Sequence, residues 1–278
     1  MKQGIIKSSP VRILVVGYCT VILIGTMLLC LPFASADGAM TPLSDSFFTA
    51  TSAACVTGLI RFDTYTHWSL FGQLVILLLI QVGGLGFVTI SLFMHVLSRQ
   101  KIGLSSRILM REAVSAPQVG GIVRMTKFIL LGTLLIEGIG AAALALYFCP
   151  RLGLGEGLYY SAFHSISAFC NAGFDLMGRN GAFSSLTSAA SDWYVNIVIM
   201  LLILLGGLGF FVWRDLLETR GRCSKMRVQT KLVLVMTAIL FLGATVGFLI
   251  LEYNVNAYRG MGAWDKLLAS MFQSGTMR

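Results

Sequence analysis

Two glycines, Gly58 and Gly173, each close a short polar segment set between apolar stretches. The chemistry open to such segments is cation coordination by backbone carbonyls. A chain that leaves a half-helix with its carbonyls aimed at a common axis needs a residue without a Cβ, and rings of carbonyls replace the hydration shell of K+. The two segments are copies. D-S-F-F-T-A-T-S-A-A-C-V-T-G-L at Asp45–Leu59 is matched by Y-S-A-F-H-S-I-S-A-F-C-N-A-G-F at Tyr160–Phe174, with Phe48, Ser52, Ala53, Cys55 and Gly58 recurring as Phe163, Ser167, Ala168, Cys170 and Gly173 at a constant shift of 115 residues. Duplication in matched context separates these glycines from isolated packing or turn glycines.

Other residue types that carry chemistry are sparse. Each copy leads into an apolar run containing G-G-L-G-F, at Gly83–Phe87 and Gly206–Phe210. A nucleotide-loop reading fails at the third glycine of G-x-G-x-x-G, so Gly83, Gly84, Gly86, Gly206, Gly207 and Gly209 are read as close-packing positions of inner helices. Six scattered cysteines show no C-x-x-C spacing, and Cys55 and Cys170 are read as small loop residues with only their carbonyls in play. His67, His95 and His164 lack ligand spacing such as H-E-x-x-H. Glu137, inside an apolar span, is a functional candidate by default, or a structural hydrogen-bonding partner of a neighbouring half-helix. Asp37, Asp45, Asp63, Asp175 and Asp192 either gather cations at an outer mouth or are screened loop charges.

The elements that must position these loops follow from composition. The chain is 56% hydrophobic and only 12% charged, the balance of a membrane protein. A spanning helix needs roughly 20 apolar residues; five runs approach this, Val11–Phe33, Trp68–Leu97, Met125–Phe148, Trp193–Trp213 and Leu232–Tyr253. The first is too long for a signal peptide and is read as retained. Lys2, Lys7 and Arg12, then Arg99, Lys101, Arg107, Arg111, Arg124 and Lys127, then Arg214, Arg220, Arg222, Lys225, Arg227 and Lys231, fifteen of the 21 basic residues, fall on one side. The positive-inside rule makes that side, with the amino terminus, cytoplasmic. The net charge of +9 thus reports topology and anionic-lipid contact rather than nucleic-acid binding. Asp45–Ala54 and Leu158–Phe169 are each long enough for about three helical turns, half a bilayer, and are expected as re-entrant pore helices. Backbone that is not helical at membrane depth must be buried in protein or line a watery cavity. A third copy begins at Asp265–Arg278, and the sequence is expected to end inside its loop.

The residues C-V-T-G-L at 55–59, Q-V-G-G-L-G-F at 81–87, C-N-A-G-F at 170–174, G-G-L-G-F at 206–210 and F-Q-S-G-T-M-R at 272–278 resemble the Trk/Ktr/HKT superfamily of potassium transporters. The short stretch ahead of the first span is most similar to the Ktr membrane subunit. The resemblance implies an all-α polytopic membrane protein of tandem helix, re-entrant pore loop, helix repeats around a pseudo-fourfold pore, two of them complete here and a third begun. Repeat 1 is expected at 1–97, a basic cytoplasmic loop at 98–124, repeat 2 at 125–213, a second basic loop at 214–231 and the start of repeat 3 at 232–278. It implies a selectivity filter in which K+ meets the backbone carbonyls of Cys55, Val56, Thr57, Gly58, Cys170, Asn171, Ala172, Gly173, Thr276, Met277 and Arg278. A serine at the first filter position is associated with Na+-preferring plant members, so Gly58 points to K+, with Na+ as a further candidate coupling or activating ion and no other cofactor. The implied setting is the bacterial plasma membrane, as a homodimer carrying a cytosolic ring of nucleotide-binding regulatory subunits. The implied function is potassium uptake; the alternatives are a non-conducting truncated fragment or regulatory subunit, and a multi-span membrane enzyme. No catalytic constellation is present in the sequence to support that last reading.

Overall fold

The computed structural model describes residues 10–86, 122–253, 258 and 260–277. Among them the chain is all-helical, with one isolated antiparallel bridge, Ser35 to Trp68, in place of any strand. It divides into two compact units, Met1–Leu135 and Ile136–Arg278.

In the first unit, α1 (Pro10–Leu29) opens on a proline, whose fixed φ and missing N–H suit a helix start. After a 3-10 turn at Pro32–Ala34, the half-helix α2 (Leu43–Ala54) begins behind Pro42. The four-residue α3 (Thr64–His67) is capped by the Asp63 carboxylate, which accepts from the Tyr65 and Thr66 amides at 3.0 and 2.9 Å. α4 (Leu70–Leu85) is capped by the Ser69 hydroxyl. α1, α2 and α4 pack against one another, and the linkers around α2 are laced together by the Ala36 amide on the His67 carbonyl and the Ser69 amide on the Ala34 carbonyl.

α5 (Ile122–Leu152) ends at Gly153 and leads in the second unit to the half-helix α6 (Leu154–Phe169). Then come 3-10 turns at Met177–Asn180 and Ser185–Ala189, and α7 (Trp193–Gly207), capped by Asp192. α8 (Phe210–Thr219), α9 (Val228–Glu252) and α10 (Ala263–Thr276) complete the unit. α6 and α10 pack on α7, and α8 and α10 on α9.

Three described helices are long and apolar enough to cross a membrane, within Arg12–Leu29, Val123–Leu152 and Val228–Glu252. The second expected span is seen as the shorter apolar α4; its continuation to Leu97 lies outside the described residues. The fourth differs from expectation. Trp193–Trp213 is not one straight helix: it breaks after Gly207 and turns by 93° into α8. Gly209 stands at φ +84, a backbone conformation that side chains with a Cβ rarely adopt, and it starts a helix with a new axis.

The half-helices meet the inner helices in the same way in both units. A Cβ on Gly83 of α4 would lie 2.3 Å from the carbonyl oxygen of Ala54, the last residue of α2, and one on Gly206 of α7 would lie 1.8 Å from that of Phe169, the last residue of α6. Ala54 and Phe169 are themselves 115 residues apart. Only hydrogen at these positions lets the inner helix close on the terminal carbonyl, and the obstructing atom is backbone, which has no rotamer with which to yield. Gly206→Ala is therefore expected to lose about 1–3 kcal/mol by overpacking, read as a lower melting temperature in detergent. Gly207→Ala, whose Cβ would meet nothing nearer than Asn171 Nδ2 at 3.6 Å, is expected to melt like the parent.

Candidate ion-coordinating site

Both half-helices end in a Schellman turn, in which a left-handed residue lets its own amide and the next one fold back on the helix carbonyls. After α2 the Val56 amide donates to the Ala53 carbonyl at 3.2 Å and the Thr57 amide to that of Ser52 at 2.9 Å. After α6 the Asn171 amide donates to the Ala168 carbonyl at 3.1 Å and the Ala172 amide to that of Ser167 at 2.8 Å. The left-handed residues are Val56 at φ 56 and Asn171 at φ 57, followed by Gly58 at φ 75 and Gly173 at φ 74, with Thr57 and Ala172 between them outside the positive region. Asparagine is a favoured substitute for glycine in this conformation, whereas a β-branched valine is strained there by on the order of 1–3 kcal/mol.

The electrostatic result is one-sided. The amides of Cys55, Val56 and Thr57 and of Cys170, Asn171 and Ala172 are consumed by the helix ends, while none of the carbonyls of Cys55–Gly58 or Cys170–Gly173 accepts a hydrogen bond among the described residues. A row of unengaged carbonyls beyond a helix carboxyl terminus, where the macrodipole is negative, attracts cations. The equivalent serines hold each turn. The Thr57 hydroxyl donates to Ser52 Oγ at 2.9 Å, and Ser167 Oγ donates to the Phe174 carbonyl. Past the second turn, His164 ties the outgoing chain to α6: its Nδ1 faces the Tyr160 carbonyl at 2.7 Å and its Nε2 faces the Leu176 amide at 3.3 Å. A carbonyl requires a donor and an N–H an acceptor, so the ring is neutral with its proton on Nδ1.

Two salt bridges brace the limbs that follow the turns: Arg61 to Asp45 in the first turn of α2 at 3.1 Å, and Arg179 to Glu156 in the first turn of α6 at 2.7 Å. Beside Gly173 lies a cavity of about 350 Å³ whose polar lining includes His164, Asn171, Asp175, Gln273 and Thr276.

A family profile described as the cation transport protein TrkH matches residues 7–261. The chain belongs to the TrkH family. It is 42% identical over 280 residues to the potassium/sodium uptake protein NtpJ of Enterococcus hirae, and 41% identical over 276 residues to Ktr system potassium uptake protein B of Bacillus subtilis. Those alignments take in 100% and 98% of this chain and 60% of each relative, so the chain spans about three fifths of their length. Among solved structures, the potassium transporter TrkH from Vibrio parahaemolyticus superposes with a TM-score of 0.64 at 16% identity, covering 100% of this chain and 52% of that one. That likeness establishes a shared helical membrane fold.

Thr276 is the last residue of α10 and Met277 caps it at φ −74, so neither occupies a left-handed turn; Arg278, like Phe87 and His95, lies outside the described residues. Glu137 is buried, its backbone carbonyl accepting from Ser165 Oγ at 2.7 Å and its carboxylate facing the Cys170 thiol at 3.8 Å. It thus sits at the end of α6. The six cysteines are all free, and among the described residues no cluster of three or more His, Cys, Asp or Glu could hold a metal ion. The sequence points to His164 as an interfacial or packing histidine and assigns no role to Ser52 and Ser167, although the serines are repeat partners.

His67 stacks on Phe62 at 4.0 Å and its Nε2 meets Thr41 Oγ1 at 3.1 Å. Burial holds its imidazole below the ordinary histidine value of 6.5, against the opposing pull of Asp37 and Asp45. The unfolded chain therefore takes up the proton first, so this contribution to stability is present above about pH 6.5 and is lost as the pH falls. The melting temperature is expected to drop more steeply between about pH 7.5 and 5.5 in the parent than in His67→Phe, which keeps the stack and removes the titration.

Proposed function

We propose that this chain supplies part of the conduction path of a potassium uptake protein, with passing K+ coordinated by the carbonyls of Cys55, Val56, Thr57 and Gly58 and of Cys170, Asn171, Ala172 and Gly173. The observation that carries the reading is the duplicated helix end at which the amides of 55–57 and 170–172 are spent and the carbonyls are unengaged. An anion site would present the opposite, N–H groups at a helix amino terminus. The names of the relatives, potassium/sodium uptake protein and Ktr system potassium uptake protein B, favour K+ with Na+ as a further ion.

The geometry supports re-entrant pore loops entered from the outer face. α2 and α6 have 12 and 16 residues, about 18 and 24 Å at 1.5 Å per residue, short of a roughly 30 Å hydrocarbon core. The exposed basic residues Arg214, Arg220, Arg222, Lys225, Arg227 and Lys231 support a cytoplasmic position for the α8–α9 corner and for the amino terminus, in the plasma membrane of a bacterium. The word system in the name of the Bacillus relative supports a separate regulatory component; a cytosolic nucleotide-binding ring and a homodimer are the forms we propose for it. The repeat boundaries at 97, 124, 213 and 231 stand as part of the same proposal.

The test is K+ uptake in bacteria lacking their own uptake systems, comparing this chain alone, the chain joined to the remaining carboxyl-terminal part of the Enterococcus relative, and the joined form with Gly58→Ser. The joined form is expected to restore growth at low K+. Serine at a φ of +75 displaces the carbonyl, so Na+ uptake relative to K+ is expected to rise by about tenfold, a loss of about 1.4 kcal/mol of discrimination. A joined form that reaches the membrane and moves no K+, or unchanged selectivity in a conducting Gly58→Ser, overturns the assignment.

A further inference from the structure

The segment Phe210–Lys231 contains only two acidic residues, and both are engaged. Glu218 pairs with Arg214 along α8 at 2.7 Å. Asp215, buried against α9, accepts the Arg227 amide at 2.9 Å and faces the Arg227 guanidinium at 3.6 Å. Hydrogen bonds from Thr230 and from the Arg227 amide hold the Asp215 carboxyl below the ordinary carboxylate value, so the α8–α9 corner is clamped by an ionised group. Arg220, Arg222, Lys225 and Lys231 are left exposed with no acidic partner among the described residues.

These cations stand beside exposed apolar side chains, Leu217 on α8 and Val228 and Leu232 at the start of α9. Val228 is 81% exposed, and only 6% of the α9 window is buried. An apolar surface therefore runs upward from the basic turn. The 93° break sets α8 across the direction of α7, which in a membrane lays α8 along the interface. Trp213, whose indole N–H donates to the Leu205 carbonyl at 3.1 Å, sits at this bend, a position favoured by tryptophan at the headgroup level.

We propose that the α8–α9 corner is a binding site for an anionic phospholipid of the inner leaflet, with its phosphodiester on Arg220, Arg222 and Lys225 and its acyl chains on Val228 and Leu232. An acidic soluble protein would neutralise the cations and leave the neighbouring apolar side chains facing water; a lipid satisfies both. The inference rests on the chain's being embedded in a membrane and not on K+ movement, so its failure would leave the functional reading intact.

The test uses the full chain purified in neutral detergent, with native mass spectrometry counting retained phosphatidylglycerol against phosphatidylcholine of the same acyl chains. The parent is expected to retain phosphatidylglycerol about tenfold more strongly, given the attraction each surface cation contributes. Combined Arg220→Gln, Arg222→Gln and Lys225→Gln is expected to erase the preference with an unchanged melting curve. Brominated phosphatidylglycerol quenching Trp213, isolated by comparison with Trp213→Phe, reads the same contact without altering any cation. Equal retention of the two lipids by the parent, preference intact in the triple variant, absence of Trp213 quenching, or complete displacement by millimolar inorganic phosphate would each overturn the proposal, the last by reducing it to a free-anion site.

Discussion

Backbone polar groups that leave a helix inside a membrane must find partners without help from lipid, and the two loops depend on how that requirement is divided. Each helix end folds three successive amides back onto α2 or α6 and leaves the carbonyls of the same residues unengaged. Carbonyls are hard oxygen donors, and water or a weakly hydrated cation is what completes them. The rest of the local structure keeps this division in place. Ser52 and Ser167 pin the turn from inside, and the limb after the turn is pinned by Arg61 in one unit and by His164 and Arg179 in the other.

The carbonyl-bearing end must also be held at a fixed depth, and this is the task of Gly83 and Gly206. With an inner helix resting directly on the last carbonyl of the half-helix, neither element slides without a steric collision, since close-packed interiors transmit displacement rather than absorb it. The two units reach the same arrangement with different accessories. Arg61 pairs with Asp45, and Arg179 with Glu156, but a shift of 115 residues from Asp45 falls on Tyr160 and from Arg61 on Leu176. The braces are therefore analogous in place without being copies in sequence, which marks the bracing of the limb after the turn, rather than any one ion pair, as the constraint.

Much of this was legible from residue order because duplication exposes what is shared. Three of the five apolar runs are helices long enough to cross a membrane, the paired C-x-x-G segments fall at the two left-handed helix ends, and α2 and α6 start within a few residues of expectation and end where expected. The 93° turn at Gly209 was not legible, because hydropathy is blind to direction and Phe210–Trp213 reads as apolar whether it continues a span or lies along an interface. The left-handed Val56 was hidden for a related reason. Local propensity argues against a β-branched residue there, and only the tertiary frame around α2 overrides it. The tie made by His164 was not visible because its partners, the Tyr160 carbonyl and the Leu176 amide, are backbone atoms without a sequence signature.

The carboxylates flanking the two half-helices are largely committed to fixed donors. Asp63 and Asp192 are helix caps, Asp45 is paired with Arg61, and Asp37 accepts from the Ser35 hydroxyl and the Ala39 amide, which holds its carboxyl below the ordinary value. Carboxylates committed to fixed donors present little free field, and what remains is screened within about 8 Å at physiological salt. The half-helix termini and the carbonyls beyond them would act on a cation at contact distance, where screening is ineffective. Only Asp175, lining the cavity beside Gly173 while accepting the Met177 amide at 2.8 Å, combines a carboxylate with that location. Backbone geometry at the two helix ends, rather than any shared set of acidic residues around them, is thus what the duplicated segments preserve.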